Sequence, residues 1–384
     1  MGYPGYTKVS PHCSCKMLAM SESVPEIVIE AADPAPPPES KPAIPTVSPE
    51  TAKFLEPYLP PSSPDTTSTT TTAVKISIPL EPAIEVPFPS IKAPPTSMRT
   101  RPFVTLTYAT SLDSHLALSP GVQTHLSGPL SKSLTHYLRS KHDGILVGVG
   151  TATADDPGLN CRTEGVGGFK TKEEEEKVND LANSSPLKVL DDDDDDDDET
   201  EDPLAGQPRP IILDPNRRWH FTRDSRVFQT VREGKGRAPI ILTRASARQG
   251  TGEAERWRIL CEHGGMFMCP KEESKDKSKK MKAGGRWSWN YILEFLYKEA
   301  GIKSLMIEGG AEVINDLLGK KENMGLIDSV VVTIAPVYLG KGGVNVSPDG
   351  KKVAGKKVEA ANFKDVEWTV LGRDVVMAAR PLIE

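Results

Sequence analysis

Apolar residues are not spread evenly along this chain. From about residue 99 onward they gather into short blocks separated by polar and glycine-bearing stretches, whereas the first hundred residues hold more than half of the 34 prolines. Residues 103–109, β-branched and aromatic, predict a strand. Across 131–141, Leu134, Tyr137, Leu138 and Lys141 recur at spacings of three and four, which predicts an amphipathic helix. Residues 144–150 form a near-continuous apolar run of the kind buried on both faces of a parallel sheet. Further strands are predicted at 210–214, 239–243, 304–308 and 329–334, and helices at 288–300 and 311–318. This alternation predicts an α/β fold with a mainly parallel sheet flanked by helices. The end departs from it: 367–371 and 374–380, separated by Gly372 and Arg373, predict an antiparallel hairpin on the sheet edge.

The unpatterned stretches set the domain organisation. Proline removes backbone donors, and residues 1–98 offer few large apolar groups, so they are expected to be a disordered Pro/Thr-rich tail whose removal leaves the catalytic part nearly intact. Within it, 49–59 alone carries an apolar face at helical spacing, and a short docking helix is the alternative there. One catalytic domain is expected over 99–384, with surface insertions at 164–207, which holds the eight-Asp run 191–198, and at 271–285, which is Lys-rich. Like-charged blocks repel themselves and stay solvated.

Charge and cysteine usage narrow the function classes. The formal charge of −6 comes largely from the acidic run, and no basic face points to nucleic acid. No run of 18 apolar residues predicts a membrane span. Five cysteines, an odd number, fit neither a disulfide framework nor zinc knuckles. With no charged region followed by an apolar run at the start, a reduced, cytoplasmic chain is expected.

Candidate chemistry sits at strand ends. The run from Gly144 leads into Thr151, Asp155 and Asp156, delivering a hydroxyl and carboxylates to the carboxyl end of a buried strand, where open α/β sheets bind ligands. A tight turn capped by Asp is the plainer reading of the same residues. Glu308, Gly309 and Gly310 lie between a strand and a helix, so free amides at the helix start would suit a phosphate, although Gly-Gly is also how a chain turns. Arg139 and Arg162 lie near this region in sequence, and a guanidinium fork suits phosphate.

Taken together, residues 105–113, 135–139, 143–162 and 308–311 resemble the fungal and archaeal diaminohydroxyphosphoribosylaminopyrimidine reductases of riboflavin biosynthesis, which are similar in turn to the reductase domain of bacterial bifunctional riboflavin enzymes. The resemblance covers about 101–380 and omits the tail and both insertions. It implies a dihydrofolate reductase-like fold, a homodimer, and NADPH-dependent reduction of a phosphoribosylaminopyrimidine to its ribitylamino form. By the same resemblance, Thr151, Asp155, Gly309, Gly310, Ala311, Glu312 and Val313 would bind NADPH, and Arg139, Leu159, Arg162 and Glu308 would hold the substrate. Asp113 would sit near the reacting ribose, so Asp113 and Glu308 are the catalytic candidates, with the proton source open between them and water. Where the family often carries Gly-Lys after the aspartate, this chain has Ser114 and His115. Arg217, Arg218 and Arg244 are candidates for a contact to a cofactor 2′-phosphate. No metal is expected, since the cofactor supplies the chemistry. A reductase of another pterin or pyrimidine, and a non-catalytic scaffold acting through the acidic loop and Pro-rich tail, are the alternatives.

Overall fold

A computed structural model describes residues 42–61, 99–171, 202–244, 252–270, 287–353 and 355–383. The acidic run 191–198, the insertion 271–285 and the tail residues 1–41 and 62–98 lie outside them.

The predicted parallel strands form because side chains are buried on both faces of the sheet, Val, Ile and Leu supplying most of them. Strands β1 (Phe103–Thr110), β3 (Gly144–Gly148), β4 (Arg209–Leu213), β5 (Ile240–Leu242), β6 (Met266–Met268), β7 (Ser304–Ile307) and β8 (Ser329–Ile334) run parallel. The hairpin β12 (Phe363–Leu371) and β13 (Asp374–Pro381) adds antiparallel against β8, giving the order β12-β13-β8-β1-β7-β3-β4-β5-β6, while β2 (His115–Ala117) with β9 (Val344–Asn345) and β10 (Lys351–Val353) with β11 (Lys356–Val358) form two small antiparallel pairs outside it. This is the expected mainly parallel sheet with an antiparallel C-terminal pair. Side chains alternate across it: Leu305 and Ile307 enter the core on one face, while Met306 between them enters the core on the other.

Helices cover both faces. The amphipathic α2 (Pro129–Ser140) buries Leu134 and Leu138, and α6 (Trp289–Glu299) buries Trp289, Ile292, Leu293 and Leu296. Ser288 caps α6, its hydroxyl accepting the Tyr291 N–H at 3.3 Å. α7 (Ala311–Gly319) follows β7 directly. Two helices at α4 (Arg226–Arg232) and α5 (Glu253–Glu262), and strand β6, have no counterpart among the predicted elements. No helix among the described residues is long and apolar enough to cross a membrane.

Two expectations change, and over 49–59 the helical alternative is the one that forms. The apolar run from Gly144 ends as a strand at Gly148, and α3 (Val149–Asp155) begins there, so Thr151 and Asp155 lie on a helix and not in a turn. In the tail, Pro49–Leu55 forms helix α1, continued by a 3-10 turn at Glu56–Tyr58, with Leu55 and Tyr58 fully buried. The ends of the 164–207 insertion are packed as well. Phe169 is buried, and the buried Gln207 amide donates to the Cys161 and Gly167 carbonyls, both at 2.8 Å.

Candidate active site

β1, β7 and β3 lie side by side and parallel, so their carboxyl ends share one edge of the sheet. The chain runs outward from β3 to β6 on one side of β7 and turns back to β8 on the other, which makes this edge a topological switch point. Asp113 follows β1, α3 follows β3, and Glu308 through Val313 follow β7.

Glu308 and Arg139 meet there in a two-pronged ion pair. Nε of Arg139 donates to Oε1 at 2.8 Å and Nη2 to Oε2 at 2.7 Å, while Nη1 donates to the Asn160 carbonyl at 2.9 Å. Side-chain exposure is 14% for Arg139 and 21% for Glu308, so water competes little for the pair. Burial disfavours the guanidinium charge, but the Glu308 carboxylate outweighs it and holds Arg139 above its usual range.

Arg162 is a different case. Its backbone N–H donates to His136 Nδ1 at 3.0 Å, its Nη1 donates to the Pro42 carbonyl at 3.2 Å, and its Nη2 lies 3.4 Å from His136 Nε2. Among the described residues it has no ion-pair partner. Burial first, then repulsion from Arg139 and Arg226, lowers its proton affinity, so positive charge is in excess here. His136, one turn before Arg139 on α2, and Arg226, at the start of α4, were missed in the sequence. The spacing of His136 from Arg139 was a readable signal, whereas Arg226 depends on a helix that no pattern announced.

The cofactor candidates are brought together across α3 and the start of α7. A Cβ on Gly310 would lie 3.1 Å from Thr151 Oγ1, so that hydroxyl faces bare backbone. A Cβ on Gly309 would lie 2.8 Å from the Val313 side chain, which explains the glycine by packing. Asp155 is half-buried, and burial raises its carboxyl above the usual range against the pull of His125. Ala311 and Glu312 occupy the first turn of α7, where an acid complements the helix dipole.

Three of the candidates are also held by structural contacts. The Asp113 carboxylate accepts from Ser111 Oγ at 2.5 Å and from the Leu339 and Gly340 N–H groups at 3.0 and 2.8 Å. These bonds, Ser111 first, outweigh burial and hold it well below the usual carboxylate range, and they tie Asp113 to the Leu339–Gly340 backbone. Leu159, with φ +53°, is buried in the cluster that also holds Val147, Trp219 and Phe228. Val313 is also buried in the core beside Gly309, so its side chain does not face a ligand. Of the 2′-phosphate candidates, Arg217 is tied to Glu253 at 2.5 Å, while Arg244 lies over the Trp287 ring at 5.7 Å.

The model of the RibD C-terminal domain matches residues 102–377. The 2,5-diamino-6-ribosylamino-4(3H)-pyrimidinone 5′-phosphate reductase of Debaryomyces hansenii is 39% identical over 287 residues, covering 74% of this chain and 92% of the relative. The enzyme of that name from Saccharomyces cerevisiae is 34% identical, covering 73% and 86%. The solved structure of a riboflavin biosynthesis reductase from Saccharomyces cerevisiae superposes with TM-score 0.49 at 29% identity, covering 75% of this chain and 93% of that one.

Proposed function

Because the chain belongs to the RibD C-terminal domain family, we propose that it reduces 2,5-diamino-6-ribosylamino-4(3H)-pyrimidinone 5′-phosphate to the ribitylamino 5′-phosphate, with NADPH as reductant. It is an oxidoreductase, as its named relatives are. The observation that carries the substrate reading is the uncompensated Arg162 beside the Arg139–Glu308 pair. A phosphate dianion would neutralise that excess charge, and a guanidinium offers it paired donors.

The bare Gly310 backbone opposite Thr151 fits a nicotinamide cofactor, since a Cβ there would fill the space a phosphate needs. Thr151, Asp155 and the Gly309–Val313 backbone are the groups that would hold it, and when bound it supplies a hydride. The ribosylamine opens to an imine, the former anomeric carbon gains the hydride, and the imine nitrogen gains a proton. Arg139 and Glu308 fix one another and so present a rigid wall to the ribose phosphate. Both Glu308 oxygens accept from Arg139 and Asp113 is ionised, so the proton is assigned to solvent. Cys161, a buried free thiol, suits a reducing compartment such as the cytoplasm. A homodimer is proposed through the exposed apolar residues of β12.

Turnover of the phosphorylated pyrimidinone by the full chain, measured with NADPH and with NADH and with dihydrofolate as control, tests the reading. Activity on dihydrofolate alone would overturn it. Arg162→Ala is expected to lose roughly ten- to hundredfold in kcat/KM on the phosphorylated substrate. The variant should lose little on the dephosphorylated one, because the guanidinium and the phosphate are two sides of one contact.

A further inference from the structure

Residues 42–58 precede everything the family model matches, yet they are built into the fold beside Arg162. Ile44 forms a parallel bridge with Thr163. Its N–H donates to the Arg162 carbonyl at 2.7 Å, and the Glu164 N–H donates to its carbonyl at 3.2 Å. The Pro42 carbonyl accepts from Nη1 of Arg162. The other end is fastened by burial. Ser48 caps α1 by accepting the Thr51 N–H, and Leu55 and Tyr58 pack with Leu134 and Leu138 of α2 and Val376 of β13. The Tyr58 hydroxyl donates to the Asp365 carbonyl, and Arg380 donates to the Pro57 carbonyl, both at 2.5 Å.

We propose that residues 42–58 are a positioning segment that orders Arg162 for the substrate's 5′-phosphate, an inference that rests on the reading of Arg162 given above. A long side chain pushed by Arg139 and Arg226 would otherwise turn toward solvent and lose entropy when it engaged a ligand. Backbone bonds to Ile44 fix its main chain, and the Pro42 carbonyl fixes its guanidinium. A neutral carbonyl does this without cancelling the charge, so the charge stays available to an anion. The expectation that residues 1–98 are dispensable is therefore replaced. Their part at 42–58 sets affinity for the phosphate.

Ile44→Pro in the full chain tests this, because proline removes the donor to Arg162 and leaves Leu55 and Tyr58 in place. KM and kcat are measured on phosphorylated and dephosphorylated substrate, with NADPH affinity, beside Arg162→Ala and the double variant. The expected result is a KM for the phosphorylated substrate raised about five- to tenfold, with the other readouts unchanged. The double variant should be no worse than Arg162→Ala. Tyr58→Ala, which loosens the other end, should give the same phosphate-selective loss, and it decides alone if Ile44→Pro does not fold. A wild-type KM in Ile44→Pro, while Arg162→Ala loses its preference for phosphate, overturns the positioning role and leaves the Arg162 reading standing. Equal losses on both substrates overturn it too, as general damage. If Arg162→Ala discriminates as wild type does, the phosphate reading fails and the positioning role goes with it.

Discussion

At the scale of single residues, the polar groups divide into those committed to structure and those left for a ligand. Asp113 accepts three hydrogen bonds from Ser111, Leu339 and Gly340, whereas Arg162 has no ion-pair partner among the described residues and is the group proposed for the phosphate. His142 is the sharpest structural case. Its Nδ1 is 2.7 Å from the Leu138 carbonyl and its Nε2 2.7 Å from Thr105 Oγ1, which in turn is 3.0 Å from Ser329 Oγ. A neutral ring donating from Nδ1 and accepting at Nε2 satisfies the whole chain. Burial, despite the opposing pull of the Leu138 carbonyl and Asp143, takes its pKa down to about 4. Between an ordinary value of about 6.5 and this one, the unfolded chain binds a proton that the native ring refuses. Stability therefore falls as pH drops through that window, by up to about 3 kcal/mol. Denaturant unfolding of His142→Gln should show a pH dependence reduced by about that amount between pH ~7 and ~4. An unchanged slope would mean that other groups set the acid limit.

At the scale of elements, α2 matters most because it carries His136 and Arg139, yet it starts without a cap of its own. Gly128 has no side chain to receive the free amides. The fully buried Asp374, opening β13, fastens this end of the helix in trans. Its Oδ2 accepts from the Gly128 N–H and from Ser131 Oγ, both at 2.7 Å, and Arg373 Nε lies 3.6 Å from Oδ1. Asp374→Ala should thus destabilise the protein by roughly 2 kcal/mol, read as a lower denaturation midpoint, with Asp374→Asn between it and wild type. A midpoint unchanged in Asp374→Ala would place the fastening elsewhere. This contact also marks the limit of what sequence reveals. The helix, the strands and the terminal hairpin were legible because period 3.6 and period 2 survive in local order, and so was the placing of Thr151, Glu308 and Gly310 after strands, whereas the pairing of Arg139 on α2 with Glu308 was not. Asp374 at Gly128, 246 residues apart, was not legible either, since nothing local distinguishes an aspartate that fastens a distant helix from a turn aspartate. The helix α5 was missed for another reason. It exposes Trp257 and buries Arg256, reversing the polarity that an amphipathic pattern relies on.

At the scale of the whole molecule, the sheet ends differently on its two sides, and the β12 edge is the face through which the homodimer is proposed. Val366, Trp368 and Val370 alternate along that outer strand, so they share one face, and they are 41%, 56% and 68% exposed. Three large apolar groups on one face of an edge strand form a patch that a lone subunit gains nothing by leaving in water. The register of β12 against β13 shifts between Lys364 and Glu367, with Asp365 at φ +50°. Such an irregularity interrupts the regular edge, so continuing the sheet into a neighbour by backbone pairing is disfavoured and face packing is left. A two-fold interface brings the same patch from each subunit together, and a central tryptophan is the side chain expected to dominate it. Trp368→Glu places two carboxylates across that axis and should convert the proposed dimer to a monomer in sedimentation velocity at micromolar protein. Folding should be unaffected, because the side chain is exposed within the subunit. Sedimentation identical to wild type, whether both are monomers or both are dimers, would remove β12 from the interface.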